Sequence, residues 1–335
     1  MKVLFIGGTG NISEACTRLA VEKGMELFLL NRGVTKVPIP KGVRVINGDI
    51  RNRSQAAEAL KDYSFDVVVN WIAFTPEHIE TDLALFREKT KQYIFISSAS
   101  AYQKPPVHYL ITESTPLSNP YWEYSRQKIA CELRLMQAYR EEGFPVTIVR
   151  PSYTYGPRLI PGAVSSGYTL LDRMKKGQKV VVHGDGQSLW TMTNNRDFAI
   201  GFTGLLGSIQ SIGESFHITS DEVLTWDQIY RSIGRAAGVE PDLIHIPSEL
   251  INIYDPEVGA GLLGDKACSC VFDNSKIKRI VPDYKAVIPF ATGIKETVAW
   301  FEEDSTRQIV DVDSNLKVDR IIDAYTRAFS TGKQL

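Results

Sequence analysis

The sequence predicts an α/β protein, a doubly wound parallel sheet followed by a smaller mixed α/β region. Three observations point there. Short apolar runs alternate with helical stretches through the first half of the chain, a glycine-rich turn joins the first run to the first helix, and the alternation stops after Pro157. At 335 residues the chain exceeds a typical single domain.

Taken in order, the strand candidates are Val3 to Ile6, Leu27 to Leu30, Val43 to Ile46, Val67 to Val69, Tyr93 to Ile96 and Val146 to Val149. Most are apolar throughout, as strands covered on both faces are. Between them Glu14 to Lys23, Ser54 to Leu60, Pro76 to Glu88 and Tyr124 to Glu142 have helical spacing and length. Ligands of such a sheet sit beyond the carboxyl ends of its strands. After Pro157, Pro161-Gly162, Gly167, Gly177 and Gly184-Asp185-Gly186 break the chain into shorter pieces. A strand at Phe216 to Ile218, a helix from Trp226 to Ala237, a strand near Leu243 to Ile246, and helices at Ile294 to Glu303 and Val318 to Phe329 follow. The division expected is a cofactor domain over 1–157 and a mostly substrate-binding region over 158–335, with some later segments returning to the first domain.

The turn Gly7-Gly8-Thr9-Gly10-Asn11-Ile12-Ser13 follows the first strand and opens the first helix. Glycine lets backbone N–H groups approach a pyrophosphate, and the helix N-terminus adds partial positive charge. Gly7, Thr9, Gly10, Asn11 and Ile12 are therefore cofactor-binding candidates, with Ser13 where a third glycine is usual. Asn31 and Arg32 end the second strand. An acidic residue there would select NAD, whereas arginine can hold the 2′-phosphate of NADP, so NADP is favoured and NAD remains open. Asp49 and Ile50, after the third strand, form a second tip on the same edge, with Asp49 placed to accept from an adenine amino group.

Tyr124 and Lys128 stand four apart, on one helix face. The strand before them ends Ile96-Ser97-Ser98-Ala99-Ser100, leaving hydroxyls at the same sheet edge. Ser97 is assigned to the cofactor. A nearby cation favours phenol ionisation, moving it from about 10 toward neutrality. Tyr124 could then exchange a proton with a substrate hydroxyl or carbonyl, Ser98 binding the same oxygen and Lys128 both tuning the phenol and holding the nicotinamide ribose.

With 38 basic and 39 acidic side chains the net charge is −1, which offers no electrostatic footprint for nucleic acid. The four cysteines are scattered and lack metal or redox spacing, the five histidines show no ligand pattern, and no metal is expected. No apolar run is long enough for a membrane span, and the opening run is too short for a signal peptide, so a cytoplasmic protein is expected.

Together these residues resemble the extended short-chain dehydrogenase/reductase family, the NAD-dependent epimerases and dehydratases built on the Rossmann fold. The resemblance also takes in Arg150-Pro151-Ser152-Tyr153-Thr154-Tyr155-Gly156-Pro157, Gly184-Asp185-Gly186 and Asp273-Asn274-Ser275-Lys276. It implies that Pro151, Ser152 and Tyr153 flank the nicotinamide, that Ile72 and Ala73 pass along the cofactor, and that the protein is a homodimer through helices around Leu83 and Tyr124. Relatives that handle UDP-sugars carry an asparagine near Ser152 and an arginine after the glycine-aspartate-glycine, where this chain has Trp190. Arg158 could bind an anion instead, Ser100 could touch substrate, and Trp190, Trp122 and Tyr155 could stack on a sugar ring or simply pack. Dehydratases follow their serine or threonine with two carboxylates, absent at Ala99-Ser100. The activity implied is hydride transfer at a secondary alcohol or ketone of a sugar-like substrate, as an epimerase or, alternatively, as an NADPH-dependent carbonyl reductase on a non-nucleotide substrate. A rival of another class is a stem-loop RNA-binding protein on the same scaffold, suggested by the glycine loop and Asn31-Arg32-Gly33.

Overall fold

Strands β1 (Lys2–Ile6), β2 (Glu26–Asn31), β3 (Arg44–Asn47), β4 (Phe65–Asn70), β5 (Thr90–Ile96), β6 (Val146–Pro151) and β7 (Ser215–Ile218) make one parallel sheet in the order β3-β2-β1-β4-β5-β6-β7. These are features of a computed structural model that describes residues 1–34 and 37–330. Val3 to Ile6, Val67 to Val69 and Tyr93 to Phe95 have no exposed surface, which is why their sequences are apolar on both faces. β3, at the edge, buries only Ile46 of its four residues.

Helices α1 (Ser13–Glu22), α2 (Arg53–Leu60), α3 (Pro76–Phe86) and α4 (Glu123–Glu142) connect the first strands. Ala56, Ile79, Cys131 and Leu135 carry α2, α3 and α4 onto one face of the sheet, while Cys16 and Ala20 of α1 pack on the other. The second face is completed from beyond Pro157. Helix α5 (Gly167–Lys175) lies apart from it, but α6 (Asn195–Leu205) puts Phe198 and Phe202 beside α1, and β7 extends the sheet. The strand order reverses between β1 and β4, and the carboxyl ends there carry the glycine loop and the segment after Asn70.

The rest of the chain forms a second core around Trp226, Tyr230 and Leu171. Four two-stranded pairs build it, among them Tyr153–Tyr155 with Met192–Asn194 and Leu189–Trp190 with Leu224–Thr225. Strands this short have no readable period, and helix α6 begins on a cap, Asn194 accepting from the Arg196 N–H at 3.0 Å, that its polar opening hid. The last helix, Val312–Ser330, begins earlier than expected. No helix among the described residues is long and apolar enough to cross a membrane.

Two aromatic residues considered for ring stacking belong to this core. Trp190 is 2% exposed and lies 5.6 Å from the Trp226 ring, and Tyr155 has no exposed surface and packs edge-on to Phe290. Neither presents a face to a ligand. The expected substrate role of Trp190 is thus corrected to packing, because it sits on the inner face of its strand.

Candidate active site

The glycine loop leaves β1 with Gly7 at φ +95° and Gly8 at φ +104°, the left-handed region where a side chain is strained. A Cβ on Gly8 would stand 2.7 Å from Leu29 Cδ2, and one on Gly7 3.3 Å from Trp71 Cβ. Ser13 closes the turn by accepting the Gly10 N–H at 2.9 Å, which accounts for serine in place of a third glycine. Helix α1 has Ile12 at its N-cap with no side-chain cap, and its Glu14 N–H donates back to the Gly10 carbonyl of the loop at 2.9 Å. Thr9 and Asn11 are tied inward: Arg158 donates to the Thr9 carbonyl at 3.3 Å, and Asn11 Nδ2 to the Thr154 carbonyl at 2.9 Å.

A cleft runs from Gly7 and Thr9 past Asn31 and Arg32 to Asp49, Ile50 and Ile72. Asn31 is oriented by donating its amide to the Gly7 carbonyl at 2.8 Å and to that of Leu30 at 2.9 Å. Arg32 is exposed. Asp49 accepts from the Arg51 N–H at 3.0 Å. Arg51, which the sequence did not single out, is the second cation here: it donates to the Ile72 carbonyl and lies 5.9 Å from the Phe74 ring. A nicotinamide dinucleotide fits this set. The loop glycines clear a path for a pyrophosphate, the helix start is uncapped, and Ser97 Oγ and Asn11 Oδ1 are buried without a partner.

At the reacting centre Tyr124 and Lys128 lie on one face of α4, as their spacing predicts, and Glu132 continues the row. A solvated face is excluded, since Lys128 is 1% and Glu132 2% exposed. Lys128 Nζ donates to the carbonyls of Ala73 at 2.6 Å and Ile96 at 2.8 Å and sits between the Phe74 and Phe95 rings. Burial pushes it down to about 7. Tyr124 is pushed up to about 12, also by burial, with the Ser98 hydroxyl pulling the other way. The expected lowering of the phenol by Lys128 is therefore corrected: desolvation sets its direction, and Lys128 directs two N–H groups to backbone carbonyls. Ser125 Oγ donates to Ser100 Oγ at 2.7 Å, and Ser100 and Ser98 share a 2.9 Å hydrogen bond. With Ser100 donating its hydroxyl to Ser98 Oγ, the Ser98 hydroxyl is free to donate to a ligand oxygen. Ser100, expected at the substrate, lines the same pocket as Ser98 and Tyr124 while hydrogen-bonded to Ser98 and Ser125.

The segment after β4 is held by side chains at nearly every polar backbone group. Asn70 Oδ1 accepts from Ile72 N at 2.9 Å, Lys128 takes the Ala73 carbonyl, and His78 Nδ1 accepts from Phe74 N at 3.0 Å and Thr75 N at 3.2 Å. Asn70 is oriented in turn by Asp82, whose Oδ2 accepts its amide at 2.6 Å and the Tyr93 hydroxyl at 2.5 Å. Asp82 has no exposed surface, and burial raises it from 3.8 to about 7, against those hydrogen bonds and Arg51. Between those values the folded chain holds a proton that the unfolded chain has lost, so stability falls as pH rises through the window. Asp82→Asn removes the slope. Thermal melts should show the variant gaining on the wild type at about pH 8 but not at about pH 5; a pH-independent difference would mean that Asp82 is ionised in the fold.

The pocket at Tyr124 is lined by Ser98, Ala99, Ser100, Trp122, Pro151, Ser152 and Tyr153, joined by Asp265 from a distant part of the chain. Trp122 packs 4.9 Å from the Tyr124 ring. Arg158 is not among these residues. It pairs with Glu14 across the glycine loop, so its proposed place as a substrate anion site is corrected to bracing that loop. Asp265 carried no sequence signal, because it follows no motif and reaches the pocket only through the path of its own turn.

A profile of the NAD dependent epimerase/dehydratase family matches residues 3–218. Among curated proteins, the chain is 27% identical over 262 residues to the chloroplast stem-loop binding protein of 41 kDa b of Arabidopsis thaliana, covering 73% of this chain and 65% of that protein. It is 22% identical over 293 residues to the 2'-dehydrokanamycin reductase of Streptomyces kanamyceticus, covering 85% and 80%. Among solved structures, the UDP-glucose 4-epimerase of Thermus thermophilus in complex with NAD superposes with a TM-score of 0.73 at 21% identity, over 90% of this chain and 99% of that one. The dTDP-glucose 4,6-dehydratase of Bacillus anthracis, also with NAD, gives 0.73 at 19% identity, over 91% and 98%.

Proposed function

The chain belongs to the NAD dependent epimerase/dehydratase family, and from that premise we propose that it is an NAD(P)-dependent enzyme interconverting a secondary alcohol and a ketone on a sugar-like substrate, with Tyr124 moving the proton. The observation that carries this reading is the convergence of Ser98 and Tyr124 on one pocket, with Lys128 and the glycine loop at the same sheet edge. A dinucleotide held by the glycine loop and the cleft at Asn31 and Arg32 would supply the hydride acceptor or donor. Ser98 donates to the substrate oxygen, Tyr124 gives that oxygen a proton in reduction or takes it in oxidation, and Lys128 anchors the Ala73 and Ile96 carbonyls that border the cofactor. Pro151, Ser152 and Tyr153 wall the nicotinamide end, and Trp122 covers the substrate side.

NADP is the proposed cofactor, supported by Arg32 at the tip of β2 and by Arg51 on the Ile72 carbonyl that borders the same cleft. A second reading, a free NADPH-dependent reductase on a non-nucleotide substrate, is favoured by Trp190, which stands buried where the resemblance expects an arginine for a diphosphate. Stem-loop RNA is the weaker alternative, since a net charge of −1 offers no polyanion surface. The protein is proposed to be dimeric. The cofactor decides between the readings. Tightly retained, mostly oxidised dinucleotide in the purified protein supports internal hydride recycling by an epimerase, while an empty site that takes up NADPH supports a reductase. Arg32→Ala should weaken NADPH by about 10-fold or more, the loss of a charge-assisted contact, and leave NADH unchanged. Failure to bind either dinucleotide by nicotinamide fluorescence overturns the proposal.

A further inference from the structure

Among the described residues, Asp265 is the one charged side chain on the wall of the catalytic pocket. It sits in the single π-helical turn, Leu262–Lys266, a geometry that recurs at functional sites because the extra residue pushes a side chain out of register. Two lysines flank it, Lys104 Nζ 3.5 Å from Oδ1 and Lys266 Nζ 3.7 Å from Oδ2. Both distances exceed a hydrogen bond. Lys104 has its closer contact elsewhere, donating to Cys270 Sγ at 2.8 Å, and Lys266 also lies over the Trp122 ring, 5.2 Å from its centroid. The lysines thus compensate the charge of Asp265 without using up its acceptor positions, and a carboxylate can accept at both oxygens.

A ligand in this pocket meets the Ser98 and Tyr124 hydroxyls, a carboxylate and the Trp122 ring. Ring hydroxyl groups are the matching donors, and a ring C–H face is the matching surface for Trp122. A diphosphate at this wall would face a carboxylate. Trp190, buried, also stands where an arginine is expected to receive a diphosphate.

We propose that Asp265 is the specificity-determining residue of the site, accepting hydrogen bonds from the hydroxyl groups of a polyhydroxylated ring stacked on Trp122, and that the substrate carries no nucleoside diphosphate. The proposal rests on the reading that Ser98 and Tyr124 hold the reacting oxygen. The test is ligand-observed saturation-transfer NMR on the full chain with NADPH or NADH added, using D-glucose, D-galactose, D-fructose, myo-inositol and UDP-glucose as probes. Wild type, Asp265→Asn and Asp265→Ala are compared. At least one uncharged ring should bind, weakened by about 10–100-fold in Asp265→Ala and less in Asp265→Asn, which keeps one acceptor oxygen. UDP-glucose should bind no tighter than glucose.

Binding by none of the uncharged rings, equal affinity in Asp265→Ala, or UDP-glucose binding about 100-fold tighter than glucose, a gain that a bound diphosphate readily supplies, overturns the assignment. So does a variant that melts earlier and loses nucleotide and ring alike, the mark of a merely structural role through Lys104. Dinucleotide fluorescence is recorded in parallel. A wild type that binds neither dinucleotide overturns the functional reading itself, whereas intact dinucleotide binding with any of the outcomes above overturns only the role of Asp265.

Discussion

Tyr124→Phe is expected to lower kcat by about 10²–10⁴-fold, the range for losing a positioned general acid or base, with dinucleotide binding and melting temperature unchanged. The reason is local. The ring is packed against Trp122 and Phe74, so phenylalanine keeps its packing, and only the hydroxyl that shares the pocket with Ser98 is lost. Because burial holds the phenol up at about 12, Tyr124 is a proton donor across the physiological range. Ketone reduction should therefore be insensitive to pH near neutrality, and alcohol oxidation should gain rate as pH rises. Steady-state kinetics in both directions, with fluorescence titration of NADPH, check this. Unchanged turnover in the variant would remove Tyr124 from the chemistry.

Glu132→Ala should have the largest effect on stability, on the order of 3–5 kcal/mol, because it strands a buried guanidinium. Arg150, at the carboxyl end of β6, meets the Glu132 carboxylate with Nε at 2.9 and 3.2 Å and Nη2 at 2.6 Å, the two side chains 6% and 2% exposed. The guanidinium also stacks 4.8 Å from the Tyr102 ring. The pair clamps α4 to β6 two turns below Tyr124, so it sets the height at which Tyr124 and Lys128 meet the end of β5. A drop in melting temperature of roughly 5–10 °C is expected. Glu132→Gln, which keeps part of the hydrogen bonding, should lose less. Equal melting of wild type and Glu132→Ala would show that the pair carries no net weight.

The parallel sheet was legible because its strands are buried on both faces and so have unbroken apolar runs, and the glycine loop because Gly7 and Gly8 adopt positive φ. Tyr124 and Lys128 were legible for the same kind of reason, four residues apart on one helix. What failed to show were the groups that matter through distance in space. Arg158 and Arg51 look alike as loop arginines. Yet one braces the glycine loop against Glu14, and the other lies at the cofactor cleft on the Ile72 carbonyl. Trp190 could not be told from a stacking residue until its strand was seen to bury it against Trp226.

The sequence by itself determined the class of fold, the dinucleotide loop and the tyrosine-lysine pair, since each depends on period, backbone conformation or helical spacing within a few residues. Only the tertiary structure decided the electrostatics and the substrate wall. Burial, not the neighbouring ammonium, governs Tyr124, because desolvation depends on everything packed around the ring. The carboxylate on the pocket wall, Asp265, arrives from a turn whose nearest pocket partner in sequence is more than a hundred residues away at Tyr153. Proximity of that kind is created by folding and has no local pattern to announce it.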